Sequence, residues 1–162
     1  MRTSMDKQQI EAIGRNRLVS ELIAADLEVA IPIRDRGVDI VAYREIVGRS
    51  AKFRAIPIQM KAASRQAFSV DEKYKKISNL LIAFVWGVQE SALSATYVLT
   101  YNEAMAITRK MKYKFSNGKF STTRPSQKLI ELLIKLYIKI HTLNPLLLLT
   151  SISFLTLFTL LA

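Results

Sequence analysis

The spacing of apolar residues in the first part of the chain is helical. Over residues 5–26 they recur every three or four positions with charged residues between them, which predicts an amphipathic helix. A second helix is predicted over residues 103–111, with Asn102 as its N-cap. A last helix is expected to open at Pro125 and Ser126, and the charged segment around Glu72–Lys76 predicts a short helix between the strands.

Runs of β-branched and aromatic residues predict three strands after the first helix. They cover residues 29–33, 38–43 and 53–61, with polar or glycine-containing turns between them. The third run contains Pro57, which cannot donate a ladder hydrogen bond and therefore suggests an edge or bulged position. No strand is predicted in the segment that leads from this run to the short charged helix.

Two further strands are predicted in the middle of the chain. Residues 80–86 are almost continuously apolar, as expected for a strand that is covered on both faces, and residues 96–101 form the next strand. The order is helix, three strands, short helix, two strands and two helices. This order predicts a single α/β domain over residues 1–140, followed by a hydrophobic tail over residues 141–162.

Composition narrows the chemistry that the chain can perform. Lys and Arg number 24 against 13 Asp and Glu, a net charge of +11, and an excess of this size attracts polyanions, nucleic acid first and anionic membranes second. The alternative is a merely solubilising surface. With no cysteine, and with His141 as the only histidine, disulfides, thiolate chemistry, zinc sites and Ser-His-Asp triads are disfavoured. Hard cations such as magnesium suit the remaining carboxylates and amides best.

Three polar residues are predicted to meet on one face of two neighbouring strands. Gln59 and Lys61 are two positions apart on one strand, so both point to the same side. Asp39 lies on the preceding strand, and the connection is short enough for the two strands to pair antiparallel. A carboxylate in so apolar a run needs a partner, either Lys61 or a cation, because burying it alone is costly. The alternative is an ion pair and an amide with only a structural role.

These segments resemble the core of a known nuclease superfamily. Residues 32–43 (PIRDRGVDIVAY) and 58–64 (IQMKAAS) are similar to the PD-(D/E)XK superfamily, especially its restriction-endonuclease-like and Holliday-junction-resolvase-like branches. The resemblance covers roughly residues 10–100. It implies a central mixed sheet flanked by helices, and a metal-dependent nuclease that hydrolyses phosphodiester bonds in DNA.

The resemblance also implies a role for each of the three residues. Asp39 matches the metal-bridging aspartate, Gln59 the second ligand position and Lys61 the lysine that acts on water and phosphate. The implied cofactor is Mg²⁺ or Mn²⁺. Gln59 departs from the usual acid: an amide oxygen binds magnesium but brings no charge, so the metal affinity should fall. Some members resemble this Gln-x-Lys form.

Two further acids are weaker candidates for the same site. Many members carry a glutamate on the first helix, but the expected position falls on Arg15 or Asn16, so Glu21 is the nearest acid. Glu21 is a catalytic candidate on that ground, or else a solvated partner of Arg17 one turn away. Asp35 either approaches the site or forms a turn with its own backbone.

A basic segment late in the chain is a candidate nucleic-acid surface. It mixes cations with aromatic rings around the turn dipeptide Asn117-Gly118, within a predicted loop or hairpin over residues 109–124. The alternative is a solvated helix end whose cations the helix dipole favours. The candidate nucleic-acid-binding residues are Arg65, Arg109, Lys110, Lys112, Lys114 and Lys119.

Residues 143–162 contain no charged residue and are just long enough to cross a bilayer as a helix. As a tail anchor they would attach a cytoplasmic domain to the inner face of a membrane, since Lys135 and Lys139 precede them. Other interpretations are packing on the domain, packing on a second subunit, or an altered reading frame. Three hypotheses follow for the chain: a nuclease, acting as a homodimer or alone; a catalytically inactive nucleic-acid-binding module; and a membrane-tethered accessory protein.

Overall fold

The fold is described by a computed structural model that covers residues 5–34, 36–44 and 53–141. It contains α-helices and β-strands, together with two short 3₁₀ helices, Glu72–Lys76 and Ser91–Leu93. The elements in chain order are α1 (Lys7–Ala24), β1 (Glu28–Ala30), β2 (Ile40–Arg44), β3 (Arg54–Ala62), β4 (Phe68–Asp71), β5 (Leu81–Trp86), β6 (Ala95–Thr100), α2 (Tyr101–Lys110), β7 (Lys119–Thr122) and α3 (Gln127–His141).

The main sheet has five strands in the order β1-β2-β3-β5-β6. The first three strands pair antiparallel, β3 and β5 pair parallel, and β5 and β6 pair antiparallel. The described residues therefore form a mixed α/β fold with a mixed sheet and three α-helices, as the sequence predicted. A second sheet contains β4 and β7, which pair antiparallel.

Helix α1 covers one face of the main sheet. Its N-terminus is fixed by a capping box, in which the side chain of Asp6 accepts from the backbone N–H of Gln9 and the side chain of Gln9 accepts in return. Leu18 and Leu22 are fully buried against the sheet. A Cβ atom at Gly14 would lie only 2.6 Å from the Cβ atom of Ala62 on β3, so glycine is what allows this close approach.

The main sheet separates two hydrophobic cores. On the α1 side the core contains Ile40 and Ala42 of β2 and Ile56, Ile58 and Met60 of β3. On the other side α2, α3 and the β4–β7 sheet pack together. Strand β5 lies between the cores and all six of its residues are buried, as predicted. Each fully buried side chain of the size of Phe84 or Leu81 contributes about 1.5–3 kcal/mol by leaving water.

Two local predictions need correction. Strand β3 is an interior strand, not an edge; Pro57 is tolerated because the pairing with β5 begins only at Ile58, one residue later. Helix α2 is capped by Thr100 rather than Asn102. Thr100 accepts from the backbone N–H of Glu103, and the Glu103 carboxylate accepts in return.

The β4–β7 sheet was not predicted as a unit. Asn117 and Gly118 have φ angles of 50° and 70° and form the tight turn that the sequence predicted, and β7 begins directly after it. The partner of β7 is β4, about fifty residues earlier in the chain, and the segment before the short helix was expected to be a loop. The charged segment Glu72–Lys76 is helical, as a 3₁₀ helix.

The hydrophobic tail lies almost entirely outside the described residues, as does Asp35. The boundary near residue 140 and the alternatives for the tail therefore stay predictions. Among the helices that the structure describes, none is long and apolar enough to cross a bilayer.

Candidate functional site

The site lies on the face of the main sheet that is opposite α1. The register that pairs Ile40 with Ile58 brings Asp39, just before β2, opposite Gln59 on β3. The pleat then points Lys61 to the same side as Gln59. The sequence pattern thus placed three polar residues on one face, and the structure brings the first two into direct contact.

Asp39 and Gln59 are joined by hydrogen bonds. The Nε2 atom of Gln59 donates to Oδ2 of Asp39, and the backbone N–H of Met60 donates to the same oxygen across 2.7 Å. Nε2 of Gln59 also lies 3.1 Å from the carbonyl oxygen of Met60 and donates to it. Gln59 is only 5% exposed, so these bonds satisfy an amide that would be costly to bury alone.

Lys61 reaches from β3 to the short helix that follows β4. Its Nζ atom donates to the hydroxyl oxygen of Tyr74 across 2.7 Å and lies 5.1 Å from the centroid of the Tyr74 ring. Tyr74 is 2% exposed and fills the core beneath the helix. The phenol therefore fixes the position of the amine, and a buried core residue holds a functional group in place.

The pKa of Lys61 lies below its ordinary value. The main cause is burial, which disfavours the charged amine. Asp39 and Asp71 oppose this effect, while the nearby cations Lys73 and Lys119 lower the pKa further. Lys61 thus lies where two carboxylates and two other ammonium groups act on it.

Sequence reasoning missed the residues on the β4 side of the site. Asp71 ends β4 and caps the 3₁₀ helix by accepting from the backbone N–H of Lys73 across 3.0 Å. The Nζ atom of Lys73 lies 3.6 Å from Oδ2 of Asp71 and 5.2 Å from the centroid of the Tyr74 ring. One signal was available, since Tyr74 is the single aromatic residue within a charged helical segment.

Glu21 is not brought to this site. It lies on α1, on the opposite face of the sheet, where Thr96 donates to its Oε1 atom across 3.1 Å and Nε of Arg17 lies 3.6 Å away. Burial raises the pKa of Glu21, although the hydrogen bond from Thr96 and the charge of Arg17 oppose the rise. The pairing with Arg17 is the alternative that the sequence had left open.

The Arg17 side chain joins α1 to the end of the β5–β6 hairpin. Its guanidinium donates to the carbonyl oxygens of Trp86 across 2.7 Å and Ala95 across 2.9 Å, and to the hydroxyl of Ser94 across 2.7 Å. A bound guanidinium of this kind holds elements together. The Arg17–Glu21 pair therefore has a structural explanation on the α1 face.

The candidate nucleic-acid-binding residues are dispersed over the surface. The exposed members include Arg109 and Lys110 at the end of α2, Lys112 and Lys114 in the segment that follows, and Lys119 at the start of β7. The aromatic rings between them pack on one another: Tyr113 and Phe120 are stacked with centroids 4.1 Å apart. Arg65 lies beyond the end of β3 and forms a surface ion pair with Glu90 at 2.9 Å. Of this set, Lys119 is the one whose charge acts on Lys61.

The oxygen donors available for a metal ion are few. In the part of the chain that the structure describes, no three acidic or histidine side chains gather into a group that would hold an ion. The donors at the site are the carboxylate of Asp39, the amide of Gln59 and the carbonyl oxygen of Met60. Magnesium often keeps several waters and takes only one or two carboxylates from the protein, which is the kind of donor set present here.

Comparisons of the chain with protein-family models, with curated proteins and with solved structures found no match.

Proposed function

We propose that this chain is a metal-dependent nuclease-like protein that hydrolyses phosphodiester bonds in DNA, with Asp39, Gln59 and Lys61 as its site. The observation that carries the proposal is the contact between the Asp39 carboxylate and the Gln59 amide, with Lys61 two residues further along the same strand face. A carboxylate and an amide oxygen can hold a divalent cation that activates water, and a nearby amine can stabilise charge on the phosphate.

The topology around the site supports a restriction-endonuclease-like arrangement. The resemblance seen in the sequence implies a helix before a hairpin-like pair of strands, with the aspartate on one strand and the lysine on the next. Here α1 comes before β1, and strands β2 and β3 pair antiparallel. Asp39 lies just before β2, and Lys61 lies on the part of β3 that also pairs with β5. The mixed order of the sheet and the helices on both faces agree with the same arrangement.

The residues present fit a hard divalent cation that has few protein ligands. Oδ2 of Asp39 and the carbonyl oxygen of Met60 both converge on the Gln59 amide nitrogen, a group of positive partial charge. Rotation of that amide about its last side-chain bond would present its oxygen in place of its nitrogen. Asp39, Gln59 and the Met60 carbonyl would then hold Mg²⁺ or Mn²⁺, which would neutralise charge on the phosphate and lower the pKa of a bound water.

The chain's own residues supply the remaining functions. The amine of Lys61, held by Tyr74, is placed to donate hydrogen bonds to a phosphate oxygen and to orient an attacking water. Because its pKa is lowered, the neutral amine makes up a larger fraction of Lys61 at a given pH. A neutral amine is able to accept a proton from water. Asp39 is fixed by the Met60 N–H, so the carboxylate is pre-positioned before any ligand binds.

The test is cleavage of DNA by the full chain over a titration of Mg²⁺ and Mn²⁺. Duplex, junction, flap and single-stranded substrates are needed, because the chemistry of the site does not choose among them. We expect cleavage that depends on the metal and falls at least a hundredfold in both Asp39→Asn and Lys61→Met. Equal cleavage by the two variants and the parent chain would reject the site.

One observation favours a second candidate function. In the structure the Gln59 amide presents its nitrogen, not its oxygen, to Asp39, an arrangement that is stable without a metal ion. This agrees with a catalytically inactive module on the same fold that binds nucleic acid through its basic surface. That module would bind DNA in a salt-dependent manner, would leave it intact at every metal concentration, and would bind as well in Asp39→Asn as in the parent chain.

A further inference from the structure

Two lysine side chains approach the same tyrosine ring. The Nζ atoms of Lys61 and Lys73 lie 5.1 Å and 5.2 Å from the centroid of the Tyr74 ring. Two ammonium groups near one ring can lie no farther apart than the sum of these distances, so their charges repel each other. Lys61 comes from the main sheet and Lys73 from the 3₁₀ helix, so the convergence is a product of the tertiary fold.

A third ammonium group belongs to the same cluster. Lys119 on β7 is paired in register with Asp71 on β4, and its charge acts on Lys61. The backbone N–H of Glu72 donates to the carbonyl oxygen of Gly118 across 2.8 Å, which ties the 3₁₀ helix to the turn before β7. Lys73 and Lys119 are therefore carried by elements that are joined to each other and lie next to Lys61.

The acids near this cluster are Asp39, Asp71 and Glu72, whose Oε2 atom lies close to Gly118, next to Lys119. Asp71 is shared between its cap bond to the Lys73 N–H and a 3.6 Å approach to the Lys73 ammonium, and Asp39 is engaged by Gln59 and Met60. Lys73 is 62% exposed, and ion pairs that are exposed to this extent are weak, so an incoming phosphate can replace Asp71 at little cost. Lys73 and Lys119 can therefore accept an added phosphate by exchanging an exposed, weakly held partner.

We propose that Lys73 and Lys119 form a second phosphate-binding subsite beside Lys61, which holds the phosphate next to the one under attack in a polynucleotide strand. This inference rests on the proposed function, because it takes Lys61 as the group at the scissile phosphate. A polynucleotide carries phosphates at regular spacing, so one strand can occupy Lys61 and the Lys73–Lys119 pair together. The strand then leaves the main sheet toward the β4–β7 sheet rather than toward Arg65.

The experiment measures DNA binding by the full chain in the presence of a chelator, so that no cleavage interferes. A fluorescent duplex and the matching single strand are titrated at several salt concentrations, and the slope of log Kobs against log salt is determined for Lys73→Gln, Lys119→Gln and the double variant. The matched control is Lys7→Gln, which removes the same charge from an exposed position on α1, on the other face of the sheet.

We expect each of the two lysines to reduce the magnitude of the salt slope by about 0.7–0.9, the value for one released counterion, and the double variant to lose about twice that. Affinity should fall about tenfold for each single variant, while Lys7→Gln changes neither quantity beyond its effect on net charge. Thermal unfolding of each variant should match the parent chain. Slopes in the Lys73 and Lys119 variants that equal those of the Lys7 control would overturn the subsite.

Two comparisons separate the subsite from the proposed function and from another ligand class. If the parent chain never cleaves DNA but the slopes fall as expected, the phosphate-binding subsite stands and the nuclease proposal fails. If cleavage depends on Asp39 but the slopes do not change, the nuclease proposal stands and the subsite fails. Polyglutamate serves as the competitor. Displacement of DNA by polyglutamate with the same dependence on Lys73 and Lys119 would overturn a phosphate-specific subsite in favour of a surface for acidic polymers.

Discussion

The amine of Lys61 donates to the hydroxyl oxygen of Tyr74 across 2.7 Å, which joins a residue of the central sheet to the short helix after β4. The Tyr74 ring is part of a hydrophobic core, whereas its hydroxyl is part of the polar site. The position of the amine thus depends on the packing of a core residue. A mutation can therefore remove the hydroxyl of Tyr74 while its ring stays in the core.

The substitution Tyr74→Phe removes the hydroxyl and keeps the ring. We expect the free energy of unfolding to fall by about 1–2 kcal/mol, because a largely buried amine loses an acceptor. Metal-dependent cleavage should fall about tenfold or more, since Lys61 is no longer held in one position. Chemical denaturation and cleavage rates measure the two effects.

The control for this substitution is Tyr43→Phe, at the far end of β2, where the ring packs against Phe53. It removes the same atom from the same face of the sheet. Tyr74→Phe would contradict the positioning role if its cleavage rate equalled that of Tyr43→Phe.

Burial of Lys61 predicts a specific dependence of stability on pH. Because its pKa is lowered in the folded state, the unfolded chain binds more protons than the folded chain between that lowered pKa and the ordinary value of 10.5. The free energy of unfolding contributed by Lys61 therefore rises with pH across that window. Below the window the protein bears the full cost of a buried charge.

The variant Lys61→Met removes this group and keeps the apolar side-chain stem. We expect it to be more stable than the parent chain at neutral pH, with a difference that narrows as pH rises toward 10.5. Other lysines and tyrosines titrate in both proteins and cancel in the difference. A difference that stays constant over that range, measured by urea denaturation, would show that Lys61 is not desolvated.

The substitution Gln59→Glu tests the metal site. In the absence of metal, a second carboxylate beside Asp39 replaces a hydrogen-bond donor with a like charge, so the variant should be less stable than the parent chain by about 1–3 kcal/mol. Added Mg²⁺ should restore its stability, since an ion bound only by the folded state stabilises that state by mass action. Thermal unfolding over a magnesium titration measures both effects.

The same variant should cleave DNA at lower magnesium concentrations than the parent chain, because the added charge strengthens ion binding. The control is Gln89→Glu, in the loop after β5, which adds the same charge away from Asp39. If Mg²⁺ stabilises the Gln59 and Gln89 variants equally, no metal site lies between Asp39 and residue 59.

Glu21 lies on the other face of the sheet, and this location predicts that it does not act in catalysis. We expect Glu21→Gln to cleave DNA at the rate of the parent chain. Arg17→Met, in contrast, should lower the free energy of unfolding by about 3 kcal/mol, because it leaves the carbonyl oxygens of Trp86 and Ala95 without their donor. A hundredfold loss of cleavage in a folded Glu21→Gln variant would contradict this assignment.

Local pattern was sufficient to predict the strands of the main sheet and the polar face that Gln59 and Lys61 share on β3. The alternation of Ile56, Ile58 and Met60 with Gln59 and Lys61 fixes which side of β3 is apolar, because the pleat has a period of two. The run over residues 80–86 is buried on both faces, which is the condition that such continuous apolar sequence indicates. These features depend on residues that are close together in the chain.

The features that the sequence did not predict depend on distant pairing or on orientation. Phe68–Asp71 has only four residues, and its partner strand Lys119–Thr122 lies far along the chain, so nothing local identifies the small sheet. Without that sheet, the segment containing Lys73 and Tyr74 resembled a solvated helix, and its part in the site was missed. Glu21 was a candidate through the family resemblance, as the acid nearest to the expected position on the first helix. That position along the chain gives no information about which face of the sheet α1 covers.

The close contact between Gly14 and Ala62 leaves no free space between α1 and the strand that carries Gln59 and Lys61. Ala62 directly follows Lys61 on β3. A methyl group added at Gly14 of α1 would collide with the Ala62 side chain. A larger side chain at this contact would require α1 to shift or β3 to bend. A bend in β3 would move the Lys61 amine relative to the Asp39 carboxylate. The alignment of the polar groups therefore depends on packing at the face of the sheet opposite the proposed site.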